Sequence, residues 1–377
     1  MFFVAFFIIA LVCSVISIKT LIGYSDFKFV YKLLIGTVIV LGWFGAFAAK
    51  VLKLDVILSN DIYSALLTTL YTLMGFVFIL FIVLLLRDVA WYLLYYSLKL
   101  LKVDAMRVDP QNLSLLNKAN LIVVIVAILA TSYAVFEGNK IPNIINETVK
   151  SDKISRNLRI VQISDLHITR ATSDNKILSI IDTVNKLNSD VIVLTGDIID
   201  DNINKIQDKI ALLSSLSAPY GVFSVMGNHE FYNDVYEAKK VLEQNGIKFL
   251  FNGGSFIANS NIYITGLPDF STMFERINLW RSIKDTKKED FKVLLSHQPF
   301  IVNSLDKNLY DLVLSGHTHG GQIFPMHLFA KRTNQYLAGR YSVNGIDLIV
   351  SRGAGTWGPP MRLFAPADIM VIDLLKK

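Results

Sequence analysis

The chain has 377 residues, 53% of them hydrophobic, and a mean hydropathy of +0.45. That is too apolar for an ordinary water-soluble domain and long enough for more than one folding unit. The formal charge of +6 is spread along the sequence with no block of like sign, which argues against a nucleic-acid-binding protein.

The apolar residues concentrate before residue 138. Four runs there, 2–18, 33–49, 62–86 and 119–136, contain no charged side chain and approach the ~20 residues that a helix needs to cross a bilayer. The first has no basic residue ahead of it and no small-residue cleavage site before Lys19, so it reads as a retained helix and not as a removable leader. Gly36, Gly42 and Gly45 in the second run would allow close helix packing. The loops after the first and third spans hold eight basic residues, against only Lys50 and Lys53 after the second. The positive-inside tendency then puts the first and third loops in the cytoplasm and both ends of the region outside. Trp91-Tyr-Leu-Leu-Tyr-Tyr96, followed by Lys99 and Lys102, reads equally as an interfacial helix or as a continuation of the third span. The only cysteine, Cys13, falls in the first span, which leaves no thiol for a disulfide or a later metal site.

From residue 138 the composition becomes that of one soluble domain, 138–377. The polar stretch up to 157 is either an edge strand or a linker. Apolar runs at 158–163, 190–195, 221–226, 262–265, 291–296, 311–315 and 347–351 have the length of strands. Ile177, Ile180, Ile181, Val184 and Leu187 recur at helical spacing, and helical patterns also fill 203–216 and 233–244. This alternation predicts an α/β domain with helices flanking sheets.

Polar residues punctuate the chain where the strands stop. Ser164-Asp-Leu-His167 follows the first, and in an extended conformation Asp165 and His167 would point the same way. Gly196-Asp197, Gly227-Asn-His-Glu230, His297 and Gly316-His-Thr-His319 follow later strands, so five of the six histidines occupy such positions. Loops at the carboxyl ends of strands are where α/β sheets carry their sites. Taken singly, each residue has a plain alternative: an aspartate capping a helix, an asparagine in a turn, a histidine bonded within its loop. Together, imidazole, carboxylate and amide donors without thiolate suit a divalent ion such as Mn, Fe or Zn.

This order of motifs resembles the calcineurin-like metallophosphoesterases. Gly266-Leu-Pro-Asp269, Gly320-Gly-Gln322, and Ser351-Arg-Gly-Ala-Gly355 leading to Arg362-Leu-Phe364 resemble a subgroup of membrane-attached or exported bacterial phosphoesterases. Ala365-Pro-Ala-Asp-Ile369 departs from the Pro-Pro-Glu that often closes the last block, without touching a ligand position. The resemblance implies a sandwich of two mixed sheets flanked by helices, following the four-helix transmembrane region at 1–137. It also implies two divalent metal ions. Asp165, His167, Asp197 and His319 would hold one, and Asp197, Asn228, His297 and His317 the other, with Asp197 bridging. His229 would contact the phosphate and protonate the leaving oxygen, and Glu230 would orient that histidine or a ligand.

The implied activity is hydrolysis of a phosphodiester or phosphomonoester by in-line attack of metal-bound hydroxide. The resemblance and the loop charges together describe a multi-pass protein of the cell membrane with its catalytic domain outside the cytoplasm. A lipid-linked phosphate or pyrophosphate is the narrower substrate expectation. A non-catalytic membrane scaffold that keeps the fold is the rival from another class, and a nuclease is disfavoured by the lack of a basic stripe.

Overall fold

The computed structural model describes every residue except 1, 24, 26, 233, 271–276, 307 and 308. The chain divides into two compact units, 1–136 with 358–361, and 137–357 with 362–377.

The first unit contains α1 (Phe2–Ile18), α2 (Phe29–Val51), α3 (Leu54–Ile57), α4 (Asn60–Leu100) and most of α5 (Leu113–Asn139). Four of its helices are long and apolar enough to cross a membrane: 4–23, α2, α4 and α5. Helices α2 and α4 approach closely because small residues face the seam. A Cβ placed on Gly42 would lie 2.6 Å from Val77 Cγ1, and one on Gly45 would lie 2.7 Å from Leu70 Cδ2. Gly36 faces open space and takes no part. The aromatic stretch at 91–96 continues α4 without a break. Residues 358–361 pack within this same unit, where a Cβ on Gly75 of α4 would overlap Met361 Sδ and lie 3.3 Å from Pro359 Cβ.

The second unit is a sandwich of two mixed six-stranded sheets. The strands are β1 (Asn143–Ser151), β2 (Leu158–Ile163), β3 (Val191–Thr195), β4 (Val222–Val225), β5 (Ile247–Phe249), β6 (Gly253–Phe256), β7 (Ile262–Gly266), β8 (Phe291–Leu295), β9 (Leu312–Ser315), β10 (Gly339–Val343), β11 (Ile346–Val350) and β12 (Asp368–Lys376). One sheet runs β1-β12-β2-β3-β4-β5, the other β10-β11-β9-β8-β7-β6. Its helices are α6 (Asp174–Asn185), α7 (Gln207–Ala211), α8 (Asn228–Tyr232), α9 (Val235–Gln244), α10 (Leu279–Ile283) and α11 (Met326–Asn334).

Two-residue alternation explains the layering. Val191 and Val193 of β3 join Ile264, Val293 and Leu314 between the sheets, while Ile192 and Leu194 face Ile177, Ile181 and Val184 of α6. Both faces of β3 are therefore apolar, which is why its sequence reads as an unbroken hydrophobic run. The expected strands all form, within one residue or so at each end. The polar stretch before 158 resolves as the edge strand β1, which pairs in parallel with β12. The 203–216 pattern breaks into short helical turns around α7, and α9 begins at Val235, Asn233 lying outside the described residues.

Strands β2, β3 and β4 run parallel to one another, as do β7, β8 and β9. Their carboxyl ends deliver the chain to the loops at 164–167, 196–200, 227–230, 297 and 316–319.

Candidate metal centre

Backbone bonds join the first loop to the second and the fourth to the fifth. Asp165 N–H donates to Gly196 O, His167 N–H to Asp197 O and Gly316 N–H to His297 O, each at 3.0 Å. Asp165 and His167 share a site by a route other than the expected extended backbone. Both are left-handed, with φ of 53° and 46°. Asp197, His317 and His319 are left-handed too, at 51°, 71° and 50°. An L-residue held this way costs on the order of 1–3 kcal/mol, so the surrounding bonds must impose it. Two glycines are set by space. A Cβ on Gly316 would overlap Ser164 Oγ and Asp165 Oδ2, and one on Gly227 would overlap Asp197 Oδ1.

The side chains converge as two facing imidazole pairs. His167 Nε2 lies 3.0 Å from His319 Nε2, and His297 Nε2 lies 3.1 Å from His317 Nδ1. Carboxylates flank both pairs: Asp165 Oδ1 is 3.4 Å from His319 Nε2, and Asp197 Oδ2 is 3.7 Å from His167 Nε2 and 3.1 Å from His297 Nε2. A single oxygen of Asp197 therefore reaches one ring of each pair. Asp165, His167 and His319 form one compact ligand group and Asp197, His297 and His317 another, while His167, Asp197 and His229 form a third. Asn228 Oδ1 is buried and has no hydrogen-bond partner, an unsatisfied acceptor that needs one.

Two neutral imidazoles can meet at such distances through one N–H···N bond, its direction set by the tautomers, and a cation between the rings can replace that proton. Burial opposes charging in all four rings, yet nearby aspartates hold His167 above its ordinary value, while burial and then its charged ring partner push His319 well below. The other pair repeats this: His297 is raised by Asp197 against burial, and burial followed by His297 lowers His317 to about 4. A divalent ion between the rings of a pair would take the place of the shared proton, and the nitrogen and oxygen donors without sulfur suit Mn, Fe or Zn. His297 is already oriented for that role. Its Nδ1 lies 2.8 Å from Thr195 O and so carries a proton, which leaves Nε2, facing Asp197, as the atom that would bind an ion.

A profile of the calcineurin-like phosphoesterase family matches residues 158–321. A Bacillus subtilis protein named an uncharacterized metallophosphoesterase is 31% identical over 242 residues, covering 60% of this chain and 83% of that one. The chain belongs to the calcineurin-like phosphoesterase family. An uncharacterized metallophosphoesterase of Campylobacter jejuni is 34% identical over 243 residues, 63% of this chain and 64% of its own length. A Danio rerio transmembrane protein with a metallophosphoesterase domain is 28% identical over 271 residues, 67% of this chain and 62% of that one. The match thus spans less than two thirds of the Campylobacter protein.

Other residues of this phosphoesterase domain escape a reading by motif. Asp200 is the first: its Oδ1 is 2.6 Å from His229 Nδ1 and its Oδ2 is 3.3 Å from His167 Nδ1. Burial disfavours its charge, but those two histidines hold its carboxyl well below the usual range. Its three-residue spacing from Asp197 is the one signal in the sequence.

Glu230 is buried and accepts backbone N–H bonds from Asp197, Ile198, Ile199 and Gly227 at 2.6–3.1 Å. Burial and the Asp197 carboxylate push it up to about 7, and these backbone donors pull the other way. It holds the loop of the expected ligand Asp197 by its main chain. Arg362, fully buried, donates to the carbonyl oxygens of His319, Arg352, Gly353, Gly355 and Ala365. It locks the last sequence block against the His319 loop.

Proposed function

We infer that the protein is a membrane-anchored, binuclear metal-dependent phosphoesterase that hydrolyses a phosphodiester or phosphomonoester outside the cytoplasmic membrane. The carrying observation is the meeting of two facing imidazole pairs at Asp197 Oδ2. One ion would take Asp165, His167, Asp197 and His319, and the other Asp197, Asn228, His297 and His317. When bound, such a pair of ions polarises phosphate oxygens and lowers the pKa of water toward about 7.

The chain's own groups account for the remaining chemistry. Asp197 keeps Oδ2 toward both clusters, because Oδ1 accepts the His229 backbone N–H at 2.9 Å. His229 is turned by Asp200, whose carboxylate accepts Nδ1–H and stabilises the ring when it is charged. Its Nε2, 4.0 Å from Asp197 Oδ2, is the atom that would carry a proton to the leaving oxygen. The Trp357 ring meets that of His229 edge-on, with centroids 5.8 Å apart.

A lipid-linked phosphate or pyrophosphate is the narrower substrate reading, favoured by the apolar helices that precede the sandwich. A scaffold without catalysis is the reading to beat. The full chain in detergent, supplied with manganese, is expected to hydrolyse bis(p-nitrophenyl) phosphate. Asp197→Asn and His317→Ala are expected to lose that activity together with bound metal. Full activity in either folded variant would overturn the ligand assignment, and wild type without metal or activity would favour the scaffold. Protease protection of the sandwich in sealed cells would overturn its placement outside.

A further inference from the structure

Helix α11 is amphipathic in the wrong sense for a helix that packs on a sandwich. His327, Ala330 and Asn334, at positions i, i+3 and i+7, are its partly covered residues, and none is fully buried. Leu328 and Phe329 point outward at 61% and 63% exposure. Lys331 and Arg332 stand exposed in the same helix. A surface helix ordinarily turns its large apolar residues inward. Two more exposed rings extend the apolar surface: Phe364 packs edge-on against Phe324, just before α11, at 5.9 Å, and Trp357 is bonded to Gln322 through its backbone at 2.9 Å in both directions. Trp357 lies at the His229 ring, so the surface runs from α11 to the candidate site.

The chain itself says what covers this surface. Only residues 140–142 separate the end of α5 from β1, a tether of about 14 Å at most. The segment between Trp357 and Arg362 packs in the unit of the apolar helices. Apolar side chains flanked by Lys and Arg are the composition of a helix lying in the headgroup region of an anionic bilayer. We propose that α11, with Phe364 and Trp357, docks on the bilayer interface and presents the site to phosphoesters held in that interface. The docking itself is independent of the phosphoesterase reading, and the choice of substrate rests on it.

The test uses the full chain with Cys13→Ser, reconstituted in nanodiscs of mixed phosphatidylcholine and phosphatidylglycerol. A nitroxide on Leu328→Cys is compared with one on Lys287→Cys, which precedes β8 at the opposite edge of the sheet from the site loops. The label at 328 is expected to be relaxed by oxygen and shielded from a water-soluble nickel chelate, with the reverse at 287. Nickel access at 328 equal to that at 287 would overturn the docking. Shielding from both reagents would also overturn it, because a second copy or another protein would then cover the helix. Leu328→Glu with Phe329→Glu is expected to lower turnover of a long-chain alkyl nitrophenyl phosphodiester in the bilayer by about tenfold or more, two buried apolar side chains being worth that much. Hydrolysis of bis(p-nitrophenyl) phosphate should be unchanged, and an equal loss on both would overturn the link to substrate. If wild type hydrolyses neither, the phosphoesterase reading and the substrate link both fall, and the label depth still decides the docking.

Discussion

Asp200 acts from behind the rings that face each other. One oxygen is bonded to His229 Nδ1 at 2.6 Å and fixes that ring, while the other lies 3.3 Å from His167 Nδ1. An amide at this position keeps the shape and loses the charge, and it offers one ring a donor where an acceptor is needed. Asp200→Asn should lower kcat by about 10–100-fold, the usual cost of losing such an orienting partner. KM should change little and the fold should persist, as steady-state kinetics with circular dichroism would show. The donors themselves were legible as sequence, because metal chemistry selects a small set of residue types and the motifs carry them at strand ends. The backbone that aims them was not. Asp and His enter the left-handed region more readily than most residues, but that both do so here depends on contacts with the Asp197 loop, which local sequence does not show.

Among the elements, the loops after β2 and β9 touch so closely that Gly316 has no room for a side chain. Gly316→Ala should destabilise the sandwich by about 1–3 kcal/mol through overpacking. It should also displace Asp165 and deplete bound metal, measurable by thermal melting and elemental analysis. Helix α6 gives a separate test. Its Lys176 donates to Gly138 O at 2.8 Å, and burial, then Arg362, pushes the ammonium down to about 8. Between that value and the ordinary ~10.4 the unfolded chain holds a proton that the folded chain has released, so stability rises with pH across this window. Thermal midpoints from about pH 7.5 to about pH 10 should therefore climb more for wild type than for Lys176→Met. Helix α6 and strand β3 could be read from sequence because their apolar periods differ. Strand β12 could not, although Asp368–Lys376 is strongly apolar: its place between β1 and β2 depends on pairing with residues more than two hundred positions earlier.

For the whole molecule, the chain joins a unit of apolar helices to a sandwich whose site gathers imidazole and carboxylate donors that a divalent ion would hold together. Metal binding and folding of the sandwich should therefore be linked. At a hundredfold excess over its dissociation constant, a ligand adds about 2.7 kcal/mol to stability. Chelation should lower the melting midpoint of the sandwich by roughly 5–10 °C at its size, and added manganese should restore it. Circular dichroism in the strand region would separate that change from the helices. Four-helix and sandwich compositions were legible at this scale because water and lipid select such different residues. Which surfaces meet the bilayer was not, since α11 shows its inverted face only once folded.

The order of the first sheet has a consequence in time. Strand β1 is made soon after the last apolar helix, and among the described strands its one neighbour is β12. Until residues 368–376 have left the ribosome, β1 has nothing to pair with and β2 has an open edge. The apolar helices can thus be complete while the sheet that carries Asp165 and Asp197 still lacks an interior strand, and a chain stalled before residue 368 should have no assembled site.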